Sequence, residues 1–356
     1  MKYNQRDLDA IFSSLTRKHV HKLASKSVGE SSNVQWEIPK NRYLSKIRLM
    51  VEGTFTVTHA TETTWTSKAF APQRFVNNIN LNINNGFSPF KTTGIGAYLM
   101  NLVNPRNTGY STQATSATSR ANNILTGVAS SGGTSNTLKF TLELPLCINN
   151  RDYMGIINAG DPTTNIILEI DSGTILDLFA TTTGFSISSI AITATPVVET
   201  LSIPDNPLTP KNPRTHLLDL SLIKLVHSQS KTISASGEEI INLPRGTTYR
   251  KLIVYAHASN TGLTDAEISR FQIALNQADT IFDATGKQLG SINEIELGDA
   301  LPAGVWVFDF TYQGNPNYGG TRDYIDSESL NEFWMKLQFE TSASLNYYYE
   351  TIAKMK

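Results

Sequence analysis

Between Ile203 and Thr215 the chain reads Ile-Pro-Asp-Asn-Pro-Leu-Thr-Pro-Lys-Asn-Pro-Arg-Thr, with prolines at 204, 207, 210 and 213. Each proline fixes φ at about −65° and removes a backbone donor. Three-residue spacing is the period of polyproline II, so the segment is expected to be extended and stiff; helix and central strand are excluded. It divides 356 residues into two stretches, each long enough to build its own core. The resulting reading is two like domains held apart by a semi-rigid strap. Its boundaries are an N-terminal arm over 1–33, a first domain over 34–202, the linker over 203–215 and a second domain over 216–356.

Both stretches alternate with period two, the pattern of a strand with one buried face. Ile47, Leu49, Val51, Phe55 and Val57 interleave with Arg48, Met50, Glu52, Thr54 and Thr56. Ile79, Leu81 and Ile83 interleave with Asn80, Asn82 and Asn84, and Leu138 to Leu144 repeats the pattern. Further strands are expected at Ile166–Ile170 and Ile190–Ala194. After the linker they are expected at Leu252–Val254, Phe271–Leu275, Trp306–Phe310 and Phe333–Phe339. The fold class is therefore all-β, two sandwiches of antiparallel sheets in tandem. Ile95, Tyr98, Leu99 and Leu102 recur at helical spacing and predict a short helix. Thr264 with Glu267 has the form of a capping box and predicts another. Residues 107–136, rich in Gly, Ser, Thr, Ala and Asn, read as a long surface loop.

The N-terminus reads as an amphipathic helix over residues 4–24. Asn4 is its candidate cap, and Leu8, Ile11, Phe12 and Leu15 form its apolar stripe. Arg17, Lys18, Lys22 and Lys26 follow, so residues 1–26 hold six Lys/Arg against Asp7 and Asp9. This basic arm is expected to touch an anionic lipid surface or a neighbouring subunit.

The two stretches echo each other. Ile38-Pro39-Lys40 leads to Lys46-Ile47-Arg48-Leu49, and Leu243-Pro244-Arg245 leads at the same interval to Lys251-Leu252-Ile253-Val254. Arg151-Asp152-Tyr153 and Arg322-Asp323-Tyr324 each precede a strand, in the same order. A duplicated sandwich is the simplest reading.

Motifs for chemistry are lacking. The six histidines (His19, His21, His59, His216, His227 and His257) show no ligand spacing. No G-x-S-x-G, H-E-x-x-H, P-loop or C-x-x-C occurs. Gly94-x-Gly96 lacks the third glycine of a dinucleotide loop and marks a turn at a helix start. The one cysteine, Cys147, has no base beside it in sequence and reads as a buried thiol. Tyr347-Tyr348-Tyr349 would send alternate rings to opposite faces of a strand and so packs across strands. No catalytic residue, cofactor or metal is expected. Net charge is −1 and charged residues are 17%, so no global field draws nucleic acid. A weakly charged, Asn/Thr/Ser-rich surface suits packing beside copies of itself. A single cysteine fits folding in a reducing cytoplasm. No signal-peptide pattern or long apolar run marks export or a membrane span.

Three stretches together resemble the major capsid protein of tectiviruses, tailless phages with a membrane inside an icosahedral shell. They are His59-Ala60-Thr61-Glu62 with Ala71-Pro72 and the strand from Phe75; Glu143-Leu144-Pro145-Leu146 through Arg151-Asp152 to the strand at 166–170; and Leu217-Leu218-Asp219-Leu220-Ser221. The order of landmarks matches from about Val34 onward. The resemblance implies two tandem eight-stranded jelly rolls and homotrimers of pseudo-hexagonal outline that tile a shell. It also implies partners: a separate vertex protein, an internal membrane and its minor proteins. The location implied is the virion. An alternative of another class is a two-domain carbohydrate- or receptor-binding β-sandwich. A weaker third is a jelly-roll enzyme with a metal held by His59, His227 and His257.

Overall fold

A computed structural model describes residues 16–61, 63–103, 123–148, 153–180, 183–202, 221–258, 261–276, 279–298, 300–311 and 325–354. Among the described residues, sixteen strands of five residues or more carry the fold. In the first half they are β1 (Arg17–Lys22), β2 (Asn33–Glu37), β3 (Tyr43–Thr58), β4 (Val76–Ile83), β5 (Phe87–Thr92), β6 (Thr134–Pro145), β7 (Ile166–Ser172) and β8 (Ser186–Ser202). In the second they are β9 (Leu222–Ile233), β10 (Gly237–Asn242), β11 (Thr248–Ala258), β12 (Ile268–Leu275), β13 (Asp279–Ala284), β14 (Val305–Asp309), β15 (Phe333–Phe339) and β16 (Ala343–Lys354). Helix α1 (Gly94–Leu102) follows β5, and α2 (Gly286–Leu297) follows β13.

The halves have one topology. In the first, β1-β8-β3-β6 faces β2-β7-β4-β5; in the second, β9-β16-β11-β14 faces β10-β15-β12-β13. Adding eight to each strand number converts one half into the other, and each half is an eight-stranded jelly roll. The correspondence reaches single residues. Both helices start after a threonine whose hydroxyl accepts from the third helical N–H, Thr93 from Gly96 and Thr285 from Gln288. Both then have a glycine pressed on backbone at or just before the start of the fourth strand of its half, β4 or β12. A Cβ on Gly94 would lie 2.2 Å from the Gln73 carbonyl oxygen, and one on Gly286 would lie 2.5 Å from that of Ile268.

The alternation read from sequence places the cores. Ile47, Leu49, Val51, Phe55 and Val57 point into the first core with Leu138, Phe140, Leu142, Leu144, Ile166, Leu168 and Ile170. The second core holds Leu252, Val254, Phe271, Ile273, Trp306, Phe308, Met335 and Leu337. Strands of the β9-β16-β11-β14 sheet are buried on both faces. Tyr347 and Tyr349 belong to the second core, whereas Tyr348 between them joins the first, as do Ile253, Tyr255, Val305 and Val307.

Four expectations change. Arg17–Lys22 is a strand paired to β8, with Arg17 opposite Ser202 and Lys22 opposite Val197, so the helix expected over 4–24 does not extend through it. As a solvent-edge strand it has no apolar face to reveal its period. The loop expected over 107–136 gives way from Asn123 to short strands and the start of β6. Thr264 donates both its N–H and its hydroxyl to the Glu267 carboxylate, but the Glu267 N–H returns to the Thr264 carbonyl, and the chain turns there and enters β12 at Ile268. Finally, the halves are not held apart: β5 pairs in parallel with β9, and side chains of both share one core. The linker at 203–215, the arm residues Leu8, Ile11, Phe12 and Leu15, and both Arg-Asp pairs lie outside the described residues.

Candidate assembly surface

Each half carries an ionic network on the outward face of its first sheet. In the first half Lys18 on β1 meets Glu199 on β8 at 2.7 Å, and Arg48 on β3 reaches the same carboxylate at 3.4 Å. Arg48 and Lys46 also bind Glu143 on β6, each at 2.8 Å. In the second half Lys224 on β9 and Arg250 on β11 hold Glu350 on β16 at 2.8 and 2.9 Å, and Lys251 lies 3.6 Å from Asp309 on β14. Register makes the shared glutamate and two of the lysines in each network equivalent. Glu199 sits opposite Lys46 and Val20, and Glu350 sits opposite Lys251 and Val226. Lys18 and Lys224 then occupy one position, two residues before the valine. The sequence echo that aligned Lys46 with Lys251 is thus a structural equivalence.

The surroundings differ. Burial would push the Glu350 carboxyl up, but Lys224, then Arg250 and Lys251, overcome it and hold it down to about 2. Burial pulls the Lys251 ammonium down against the opposing pull of Asp309 and Glu350. In the first half burial would raise Glu143, and its bonds to Lys46 and then Arg48 bring it below the usual carboxylate range. There Lys18 and Arg48 remain half open to water.

What covers the second network is the first half of the same chain. Lys251 Nζ donates to the carbonyl of Val103, at the end of α1, at 3.5 Å. A Cβ on Gly96 would lie 2.4 Å from the Tyr348 ring, so the glycine lets α1 lie flat on β16. The Phe70 ring stands edge-on to Tyr255, and Arg74 donates to the Tyr255 hydroxyl at 3.3 Å. Val226 pairs with Phe90 and His227 with Lys91. Two residue pairs of backbone bonding contribute about 1 kcal/mol per bond. The fully buried Tyr255, Tyr348, Ile253 and Val226 contribute roughly 2 kcal/mol each, so apolar burial dominates the seam. The seam opens into a cleft of about 290 Å³ lined in part by Lys68, Arg74, Asp177 and His257. Burial, then Arg74 and Lys68, lower the His257 imidazolium pKa, which favours the neutral ring.

Of the basic residues singled out from sequence, Arg17, Lys18 and Lys22 lie on β1 and Lys26 on a two-residue strand against Thr193 and Ala194 of β8. The structure therefore gathers them on one sheet edge. Sequence reasoning missed Glu143, Glu199, Glu350 and Asp309, whose partners are distant in the chain. His59, His227 and His257 have separate surroundings: Phe185, the Ser88 carbonyl and the Tyr255 ring. Among the described residues no three His, Cys, Asp or Glu converge as metal ligands. Cys147 is buried with Tyr43, Ile156 and Leu201. No described helix is long and apolar enough to cross a membrane.

Known structures share this arrangement across nearly the whole chain. The major capsid protein of Sulfolobus turreted icosahedral virus matches with a TM-score of 0.69 and 16% identity, covering 95% of this chain and 97% of that one. The fold is the double jelly roll of viral major capsid proteins. The PBCV-1 capsid has the same double jelly roll at a TM-score of 0.64 and 14% identity, covering 95% of this chain and 94% of its own. The major capsid protein P2 of bacteriophage PM2 follows at 0.57 and 9%, covering 96% and 98%. The family model of the viral coat protein P2 N-terminal domain matches residues 227–324. That match falls on the second jelly roll. No curated protein matches the chain by sequence.

Proposed function

We propose that the chain is a major capsid protein: a structural subunit, not an enzyme, that forms homotrimers of pseudo-hexagonal outline and tiles an icosahedral shell around an internal membrane. One observation carries this reading. The same eight-strand topology occurs twice, with caps, glycines and ionic networks at equivalent places. A hexagonal tile needs six similar sides, and three copies of a duplicated barrel supply them. The proposed units are 34–202 and 216–356, joined by 203–215. Partners in the reading are further copies of the chain, a vertex protein and membrane-associated minor proteins.

Residues 1–33 serve in this reading as the arm, with Leu8, Ile11, Phe12 and Leu15 as its apolar stripe. Because β1 is part of a sheet, the segment that can be removed without loss of a strand ends at residue 15. Deleting residues 1–15 should leave trimers and impair shells; normal shells from that truncation would end the arm's role. For the capsid reading, negative-stain images should show six-lobed rings. Particles of single chains at every concentration would overturn it.

A further inference from the structure

The seam between the jelly rolls ends in a cleft that gathers more positive charge than the chain balances. The cleft holds about 290 Å³ and takes its walls from both halves: Lys68, Arg74 and Asp177 from the first, His257 and Tyr348 from the second. That volume is at the lower edge of small-molecule sites, about 300–1,000 Å³. It lies at one end of the barrels, where β7 and β11 finish and β4 and β16 begin.

Three nitrogen-bearing side chains reach the cleft from separate elements. Lys68 stands in the link between β3 and β4, and its backbone N–H is tied to the Leu178 carbonyl at 2.9 Å. Arg74 ends the single helical turn Ala71–Arg74. Its Nε donates to the Ala69 carbonyl at 2.7 Å and its Nη2 to the Tyr255 hydroxyl at 3.3 Å, so neutral partners hold the guanidinium in place. His257, on β11, stacks on the Tyr255 ring with centroids 5.0 Å apart.

Counter-charge is short. Among the described residues neither Lys68 nor Arg74 has a carboxylate within 4.0 Å, unlike Lys46, Arg48, Lys224 and Arg250. The carboxylate that lines the cleft, Asp177, accepts from the N–H and the hydroxyl of Thr174, the latter at 2.7 Å. The positive groups bear on one another: after burial, Arg74 and Lys68 both push the His257 ring toward its neutral form. His257 Nδ1 is also buried without a hydrogen-bond partner, and a bound ion is one of the things that accounts for such an atom. Cationic groups held together in a cleft are relieved by an anion, which favours their charged forms.

We infer that this cleft binds a phosphate-type oxyanion, with Lys68, Arg74 and His257 as its ligands and the two jelly rolls as its walls. Arginine offers a planar fork and lysine a point charge, and both recognise phosphate. Donors arriving from three elements suit a tetrahedral anion, with oxygens on every side, better than a flat carboxylate. A free phosphate and a phosphate carried on a larger molecule present the same group. The site lies within one chain and does not depend on the capsid reading. The bound anion joins Lys68 and Arg74 of one half to His257 of the other, so it stabilises the folded chain.

Isothermal titration calorimetry on the full chain tests this, with inorganic phosphate in one arm and glycerol phosphate in the other, at an ionic strength held constant with sodium chloride. Saturable one-to-one binding of inorganic phosphate shows that the free ion suffices; binding of glycerol phosphate alone assigns the site to a phosphate on a larger molecule. Lys68 is only half-buried, so Lys68→Glu should keep the circular dichroism of the wild type and weaken binding at least tenfold. Asp177→Asn keeps an acceptor for Thr174 and removes the opposing charge, so it should tighten binding severalfold. The ligand that binds should raise the thermal midpoint of the wild type and leave that of Lys68→Glu unchanged. No saturable heat with either phosphate in the wild type would overturn the proposal, as would wild-type affinity in Lys68→Glu.

Discussion

The outward faces of β9-β16-β11 and β1-β8-β3 carry two lysines around one glutamate at the same registers (Lys224, Lys251 and Glu350; Lys18, Lys46 and Glu199), yet one is sealed inside the chain and the other meets solvent. Around the shared acid the two have diverged. The sealed face sets Ile253, Tyr255 and Tyr348 where the open one sets Arg48, Met50 and Val197. A permanent seam tolerates aromatic bulk, because it never stands in water. A face that is wet until a partner arrives must stay more polar, as surfaces of chains that fold before they associate do. The difference teaches that the duplicated barrel has been tuned by what covers it, not by its own fold.

The strongest way to break this comparison is to neutralise the acid on each side. Glu350→Gln leaves Lys224, Arg250 and Lys251 buried without their main counter-charge, and should cost about 3–5 kcal/mol in denaturant unfolding. Glu199→Gln, whose partners Lys18 and Arg48 are half open to water, should cost about 1 kcal/mol in the unassembled chain. Equal losses would mean that the seam does not isolate the second network.

Acid offers the next largest effect. In the folded chain Lys224, Arg250 and Lys251 hold the Glu350 carboxyl down to about 2, from an ordinary value of about 4.5. A depressed folded value means stability present above the unfolded value and lost as pH falls from about 4.5 toward 2. The loss should be on the order of 3 kcal/mol. Unfolding free energies measured at pH 5 and pH 2.5 should differ by about that much less in Glu350→Gln than in the wild type. An unchanged difference would place the acid sensitivity elsewhere.

Smaller effects sharpen the contrast between the helices. Gly96→Ala puts a methyl into the Tyr348 ring and the Thr92 hydroxyl, and should cost roughly 1–3 kcal/mol. Gln288→Ala at the equivalent place loses only the return half of a capping box and should cost well under 1 kcal/mol. Thr93→Ala and Thr285→Ala remove like caps and should each cost about 1 kcal/mol. Thermal melts of the four variants rank them.

Period-two alternation made most strands legible, since Leu138, Phe140, Leu142 and Leu144 have water on one side and core on the other. It also foresaw that Tyr348 would part company with Tyr347 and Tyr349. Strand β1 is illegible because an edge strand in solvent has no buried face, and the helical spacing of Leu8, Ile11, Phe12 and Leu15 just before it masks the change of period. Its signal was the Lys-x-Val-His shared with β9. Helix α2 escaped because it buries only Gly286, Leu289 and Asn293, too few for a stripe. The Thr285-x-x-Gln288 capping box was its one mark, and the rival Thr264-x-x-Glu267 shows that such a box is not sufficient. The networks at Glu199 and Glu350 could not be read at all. Their partners are brought together by sheet register across the length of a jelly roll, which local spacing does not encode.

The most direct measurement is the solution mass of the purified chain by light scattering over a range of concentrations. An assembly of three chains, each of 39.2 kDa, is the result this account expects. A single-chain mass that persists at the highest concentration would contradict it.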